Sequence, residues 1–479
     1  MSKRLSVARA AAALTAAAVL GASATAGAQT APDCSTLVTN PNPVYIRGSS
    51  ASQPVLLALA KVLGTSISII YENPDSCYGL NDVIAPGDNT APSANTDFGI
   101  YLAPDGSATT CSLSADGATA PFPDIGVSDV FLQTCADNGL LNSDPATAKL
   151  VEVQGPIQAM TFAVPSASNA TAISAEAANV VFGNDAMTAV VPQWNVPANI
   201  FVRPRTSGTL NMIGTAIGLT ADSWINAQPA DLGSPQQKAG TGDMVTAVAG
   251  ATSNQNATIG ILSYEALKQA NIKATAAGGS GQTLNVLAYQ PAGASAGYLP
   301  DSASNTFDRL SVRQGKYDIW GPLHFIVNVD ANGYPVPNNP GTSADDIATI
   351  LNYFIATGPS STVSQTDDGA SLQVKQFSRA DAGADGGAIS TANVTALITA
   401  EATVSAGGVV PWCAMQVIRS TEIGKPASYQ PDTSCGCFFE QTANGKPVST
   451  YCQACTSDTE CAAAGSCFPK CNFGFCEAQ

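Results

Sequence analysis

The 479 residues include a single histidine, His324. It sits in the apolar run WGPLHFIV with no recognisable Ser or Cys partner nearby, which argues against triad hydrolysis and places it in a strand at the edge of the core. Charge is scarce too. Only 12% of residues are charged, basic residues are outnumbered 20 to 36, and the formal charge is −16. That balance argues against nucleic acid or anionic membrane surfaces as partners. It leaves a small anion open, because oriented backbone dipoles act over a few ångströms while net charge is screened beyond about 8–10 Å. Past the first residues no run of 18 or more unbroken apolar side chains occurs, so no spanning helix is expected. GTGDM (240–244) is Gly-rich but lacks the following Lys of a phosphate-cradling nucleotide loop.

What is present begins with an address. Lys3, Arg4 and Arg9 precede an Ala/Leu/Val-rich stretch, and Ala26-Gly27-Ala28 offers a small-x-small cleavage site. Residues 1–28 therefore read as a secretory signal peptide, with Gln29 the first mature residue and the periplasm or cell exterior the destination. Ala-Pro-Asp before Cys34 is unlike a lipid-attachment box. The thirteen cysteines fall in two groups, four from Cys34 to Cys135 and nine from Cys413 to Cys476. In an exported chain these read as disulfides, and the odd count implies one free thiol or one intermolecular pair. Cys452-x-x-Cys455 and the cysteines after it imitate a zinc module, but with no histidine nearby disulfides are favoured.

Length suggests two or three compact units. Residues 42–155 alternate short apolar runs (VYI, SISIIY, FPDIGVSDVFL) with helical patterns over 54–63 and near 79–84. Residues 156–318 repeat the rhythm with MTFAV, a helix over AISAEAANVVFG, ANIFV, a helix after Ser207, and IGILSYEALKQANI. Residues 319–400 add the strand LHFIVNV and the helix ADDIATILNYFIATG. Such βα alternation predicts an α/β protein with a mostly parallel sheet. Residues 401–434 read as a linker or edge strand, and 435–479 as a small Cys-rich module.

Chemistry gathers where strands hand over to helices. RGSSASQP (47–54) sets Ser52 to cap a helix that starts near Pro54. ENPDSCYGL (72–80), with Asp75, Ser76 and Gly79, and RPRTSGTL (203–210), with Arg203 ahead of Ser207-Gly208-Thr209, repeat that grammar. DIGVSD ends a strand with Ser128 and Asp129. Helix starts leave N–H donors unpaired and carry a positive dipole end, so three of them with one Arg and one Asp predict a tetrahedral-oxyanion pocket.

Taken in order, these motifs resemble the periplasmic phosphate-binding proteins of ABC phosphate importers, which read roughly G-A-G-A-T-F-P, G-S-S-G-G, D-F-G-A-S-D and R-x-D-G-S-G-T. The stretches ATIGILSYEALKQANI (257–272) and VPQWN (191–195) add fainter echoes, and the likeness covers about residues 42–400. The resemblance implies a two-lobed type 2 periplasmic-binding-protein fold, with lobe 1 formed by 42–155 plus 319–400 and lobe 2 by 156–318. It implies inorganic phosphate held by Ser52, Gln53, Ser76, Ser207, Gly208 and Thr209, with Arg203 neutralising charge and Asp129 accepting the proton of monohydrogen phosphate. Sulfate offers no such proton and would face an unpaired carboxylate. It further implies a membrane permease as partner, a monomer, no catalytic residue, no metal and no cofactor. Three departures stand out: Gln53 replaces an aromatic, Cys77-Tyr78 replaces Ser-Gly, and Arg205 stands where the pattern has Asp. Two arginines without that Asp would make the pocket more positive. The rival reading is an extracellular structural or adhesion protein, or a binder of another oxyanion. The Cys-rich end is expected to dock a surface or partner, or else to stabilise passively.

Overall fold

The computed structural model describes residues 31–85, 98–113, 121–183, 191–228, 234–276, 283–359, 364–365, 389–403, 408–422, 424–463 and 468–477. Residues 1–28, expected to be a signal peptide, lie outside them, as does Cys467.

The first strands are β1 (Val44–Gly48), β2 (Ile69–Glu72), β3 (Phe98–Leu102), β4 (Ala108–Ser112) and β5 (Ile125–Ser128). They are followed by the sixteen-residue β6 (Leu150–Pro165), then β7 (Ala172–Ser174), β8 (Ile200–Phe201), β9 (Ile259–Ser263), β10 (Leu284–Val286), β11 (Ala288–Gln290), β12 (Trp320–Asn328) and β13 (Ser364–Gln365). The main sheet runs β4-β3-β2-β1-β5-β12-β6-β9-β8, with β10 and β13 also on β6, while β7 and β11 form a separate pair. β1 is parallel to β2 and β5, and β8 to β9. The contacts of β6 and β12 with each other and with β5 and β9 are antiparallel. The sheet is therefore mixed, because the long β6 and β12 run opposite to the βα units on either side.

β6 is where one half of the molecule becomes the other. Leu150 to Ala159 pair with β12, Met160 to Ala163 with β9, and Ala163 to Pro165 with β10. The sequence boundary at 155/156 thus falls inside a continuous strand. Pro322 has no N–H for the ladder, and the β12 register shifts between Pro322 and His324. On one side lie β1–β5 with helices α1 (Gln53–Leu63), α2 (Ser76–Ile84) and α3 (Leu132–Asp137). On the other lie β8, β9 and helices α4 (Ala175–Phe182), α5 (Gly208–Ile217), α6 (Thr241–Ala249) and α7 (Tyr264–Ala276). The short α8 (Leu310–Arg313) precedes β12, and α9 (Ala344–Thr357) and α10 (Thr391–Ala402) return to the first side. The expected α/β class is present, with a mixed sheet in place of a mostly parallel one because β6 and β12 run antiparallel through its middle.

Local chemistry sets the element ends. α1 buries Val55, Leu56, Leu59 and Leu63 against the first lobe and stops at Gly64, whose φ of 65° suits glycine. The helix expected over AISAEAANVVFG begins only at Ala175. Ser174 Oγ accepts the Ala177 N–H and caps it there, while the preceding three residues pair with β11.

Twelve cysteines form six disulfides: 34–111, 77–135, 413–435, 437–452, 455–471 and 461–476. The sulfurs of Cys455, Cys461 and Cys476 lie close together because two of these bridges are adjacent, so the disulfide reading holds over zinc. The small stapled module over 435–479 is present too, with three bridges of its own, but its first residues are tied into the main core. The Trp412 indole donates to the Gly155 carbonyl of β6 at 2.8 Å, and Val410 pairs with Ile157. Cys435 and Phe439 of α11 (Gly436–Asn444) belong to the main core, and Glu440 forms a fully buried ion pair with Arg313 at 2.9 Å. Only the last stretch, around Cys455, Cys461 and Cys476, has an apolar cluster of its own. Among the described residues no helix is long and apolar enough to cross a membrane.

Candidate functional site

Between the lobes three helix starts meet. In the first lobe β1 ends at Gly48, where φ is +149° and an added Cβ would sit 1.8 Å from the Val127 carbonyl oxygen of β5. Only glycine lets the chain turn there against a parallel neighbour. α2 closes on the same turn, because Gly79 lacks a Cβ that would lie 2.5 Å from Gly48 Cα. From the second lobe α5 arrives with Gly208. A Cβ on Gly208 would lie 2.4 Å from Ser76 Oγ and 2.7 Å from Asp129 Cβ. The α5 start therefore rests directly on Ser76 and Asp129, and the lobes touch at the positions the motifs single out.

The guanidinium of Arg203, 2% exposed, is the hub. Its Nη2 donates to Asp75 Oδ1 at 3.0 Å and to the Ala239 carbonyl at 2.8 Å. Nη1 donates to Thr241 Oγ1 at 3.3 Å, both Nη groups reach Ser50 Oγ at 3.5 Å, and Nε has no acceptor. Asp75 takes a second bond from Thr206 Oγ1 at 2.9 Å, and the Cys77 N–H donates to the Thr206 carbonyl at 3.0 Å. On the far side of Gly208, Asp129 Oδ1 accepts from Ser49 Oγ at 2.5 Å, and the Asp129 N–H reaches Ser76 Oγ at 3.3 Å. The N–H groups of Gly208, Thr209 and Gln53 have no main-chain acceptor, as expected at helix starts.

Electrostatically this is one cation among two buried carboxylates. Burial pushes the Asp75 carboxyl up to about 7, against the pull of Arg203 and Thr206. Burial also raises Asp129, opposed by its bonds to Ser49 and Ser76 and by Arg203. Fixed donors in a water-poor setting act strongly on an anion, since little solvent screens them.

Of the residues singled out in the sequence, Ser76, Asp129, Arg203, Ser207, Gly208 and Thr209 come together and are buried. Gln53 lies at the cleft mouth. Ser52 does not cap α1. It has helical dihedrals, and its hydroxyl turns inward to the Ser49 carbonyl (2.7 Å) and to Tyr71 Oη (3.0 Å). Arg205 does not add positive charge to the pocket either, for it pairs with Asp222, which is largely exposed. The carboxylate that orients Arg203 comes instead from Asp75, in a different loop. Ser49, Ser50, Thr206 and Thr241 were missed. The first two sat unread inside RGSSASQP, and Thr241 inside the Gly-rich GTGDM. His324 is fully buried mid-sheet rather than at an edge, with Nδ1 2.8 Å from Glu152 Oε1 and its ring 4.2 Å from that of Phe131.

No family model matches the sequence, and no curated protein does. Solved structures do. A high-affinity periplasmic phosphate-binding protein, PfluDING, bound with phosphate, is 15% identical over 66% of this chain and 85% of its own, at a TM-score of 0.38. An ABC-type phosphate transport receptor from Vibrio cholerae is 13% identical over 60% and 88%, at 0.34. A phosphate-binding protein from Stenotrophomonas maltophilia is 13% identical over 65% and 84%, at 0.35. At such distances the likeness says nothing by itself about ligand, and the functional reading rests on the side chains of the cleft.

Proposed function

We propose that this chain is an exported, non-enzymatic, monomeric solute-binding protein that captures inorganic phosphate between its lobes and delivers it to an ABC-type membrane permease. One observation carries the reading: a buried arginine, fixed by Asp75, acts electrostatically on Asp129, against which the start of α5 packs at Gly208 together with Ser76. Ser76, Ser207, Gly208 and Thr209 supply donors from both lobes, with Gln53 from the α1 start, while Ser52, whose N–H and hydroxyl are both spent on the Ser49 carbonyl, shapes that turn instead. Asp129 accepts the phosphate proton. A ligand touching both lobes stabilises the closed form in proportion to its contacts there.

Calorimetry with phosphate and sulfate on the full chain tests this. Phosphate binds, and sulfate binds far more weakly because it leaves a buried acceptor unpaired, which costs about 1–3 kcal/mol. Asp129→Asn narrows the difference. Arg203→Lys keeps the charge but loses the planar fork, and weakens binding about tenfold or more. No heat with either anion refutes the proposal and favours a structural role for the clamp.

A further inference from the structure

Two hollows open where the α1 turn faces the start of α6, one of about 590 Å³ and one of about 780 Å³. The same four residues stand in the wall of both: Ser50, Gln53, Thr241 and Gly242. Between the hollows, Ser50 Oγ from the first lobe meets Thr241 Oγ1 from the second at 3.0 Å. Both hydroxyls also lie within reach of the Arg203 guanidinium, at 3.3–3.5 Å. Ser50 is in the turn before α1 and Thr241 is the first residue of α6, so the bond spans the two bodies that must part for a ligand to enter or leave.

We infer that the Ser50–Thr241 hydroxyl pair is a closure latch that sets how long the cleft stays shut over its ligand. A hydroxyl both donates and accepts. The pair can therefore bond to each other and still take the long contacts from Arg203, which ties the latch to the group that senses the anion. When the lobes separate, water replaces the bond at each hydroxyl, so the link acts on the closed state alone and slows opening rather than entry. The Arg203–Asp75 ion pair, the Thr206–Asp75 bond and the Cys77 N–H to Thr206 carbonyl bond also cross the lobes, so the hydroxyl pair is one link of several and its loss speeds opening by the worth of one bond rather than freeing the lobes.

This rests on reading the cleft as a ligand site, and two measurements separate the two claims. The first needs no ligand. The Cys77 amide, bonded across the lobes, exchanges with solvent only when they part. In the full chain, Ser50→Ala and Thr241→Val are each expected to speed its exchange about fivefold, the loss of one ordinary hydrogen bond. The double variant exchanges no faster than either single, while Thr241→Ser stays near the parent, and β6 amides such as Val153 are unchanged in all. The second measures phosphate kinetics, where the dissociation rate rises by the same factor and the association rate stays put. If Cys77 exchange is equal in all variants, the latch is wrong whatever phosphate does. If exchange responds but phosphate gives no binding, the latch stands and the phosphate reading falls.

Discussion

Single residues decide most of the electrostatics. Glu401 is fully buried, neither of its carboxylate oxygens has a hydrogen-bond partner in the described structure, and burial pushes its pKa up to about 8. Below the carboxyl's ordinary range both folded and unfolded chains carry the proton, and Glu401 is neutral in its sense of balance. Between about 4.5 and about 8 the unfolded chain ionises while the folded one holds its proton, so stability falls as pH rises through that window. Chemical denaturation at pH 5 and pH 8 should show that fall, and Glu401→Gln should flatten it. An unchanged slope in the variant would assign the trend elsewhere. Arg203 and Asp75 show the opposite economy: a charge is buried but paired, and Asp75 near 7 keeps the pair responsive close to neutrality.

At the scale of elements, close approach without side chains builds the site. Gly48, Gly79 and Gly208 lie along one path from the β1 end through α2 to α5, and each lacks a Cβ that would strike backbone or a site side chain. Gly48→Ala is expected to cost about 3 kcal/mol, since it adds a Cβ against the Val127 carbonyl and forces an unfavourable φ. Equilibrium unfolding reads this directly. Gly208→Ala acts differently. Its Cβ meets Ser76 and Asp129 across the cleft rather than within a lobe, so the fold survives while closure suffers. Phosphate affinity should drop about tenfold with little change in melting temperature. The disulfide between Cys77 and Cys135 holds α2 to α3, which steadies the turn that presents Asp75 and Ser76.

Over the whole molecule the C-terminal chain is a brace more than an appendage. It lies on β6 at Gly155 and Ile157, stacks the Arg419 guanidinium on Trp320 of β12 with its centre 4.0 Å from the ring centroid, and reaches α3, where Glu422 accepts the Phe131 N–H at 2.7 Å. These are the strands through which the lobes join. A chain ending at Ser434 would strip Phe439 from the core, leave Arg313 buried without Glu440, and leave Cys413 without Cys435. A buried charge robbed of its partner costs about 3–5 kcal/mol. Scanning calorimetry should therefore show a markedly lower transition for the shortened chain, whereas an unchanged one would show that the stapled end adds nothing to the stability of the rest.

Local pattern along the chain is enough for the α/β rhythm, the disulfide chemistry and the Ser/Thr/Gly-rich turns at helix starts. Apolar period, helix-start residues and cysteine usage are local properties written within a few positions of one another. Arg203, Asp129 and Ser207-Gly208-Thr209 were legible for that reason. Long-range packing alone makes Asp75, rather than a neighbour of Arg203, the group that orients the guanidinium, brings Ser50 to Thr241, and ties the Cys-rich end into the core. The Asp75–Arg203 and Ser50–Thr241 contacts join residues 128 and 191 positions apart, and their partners are chosen by how strands cross at β6 and β12, which no local pattern records.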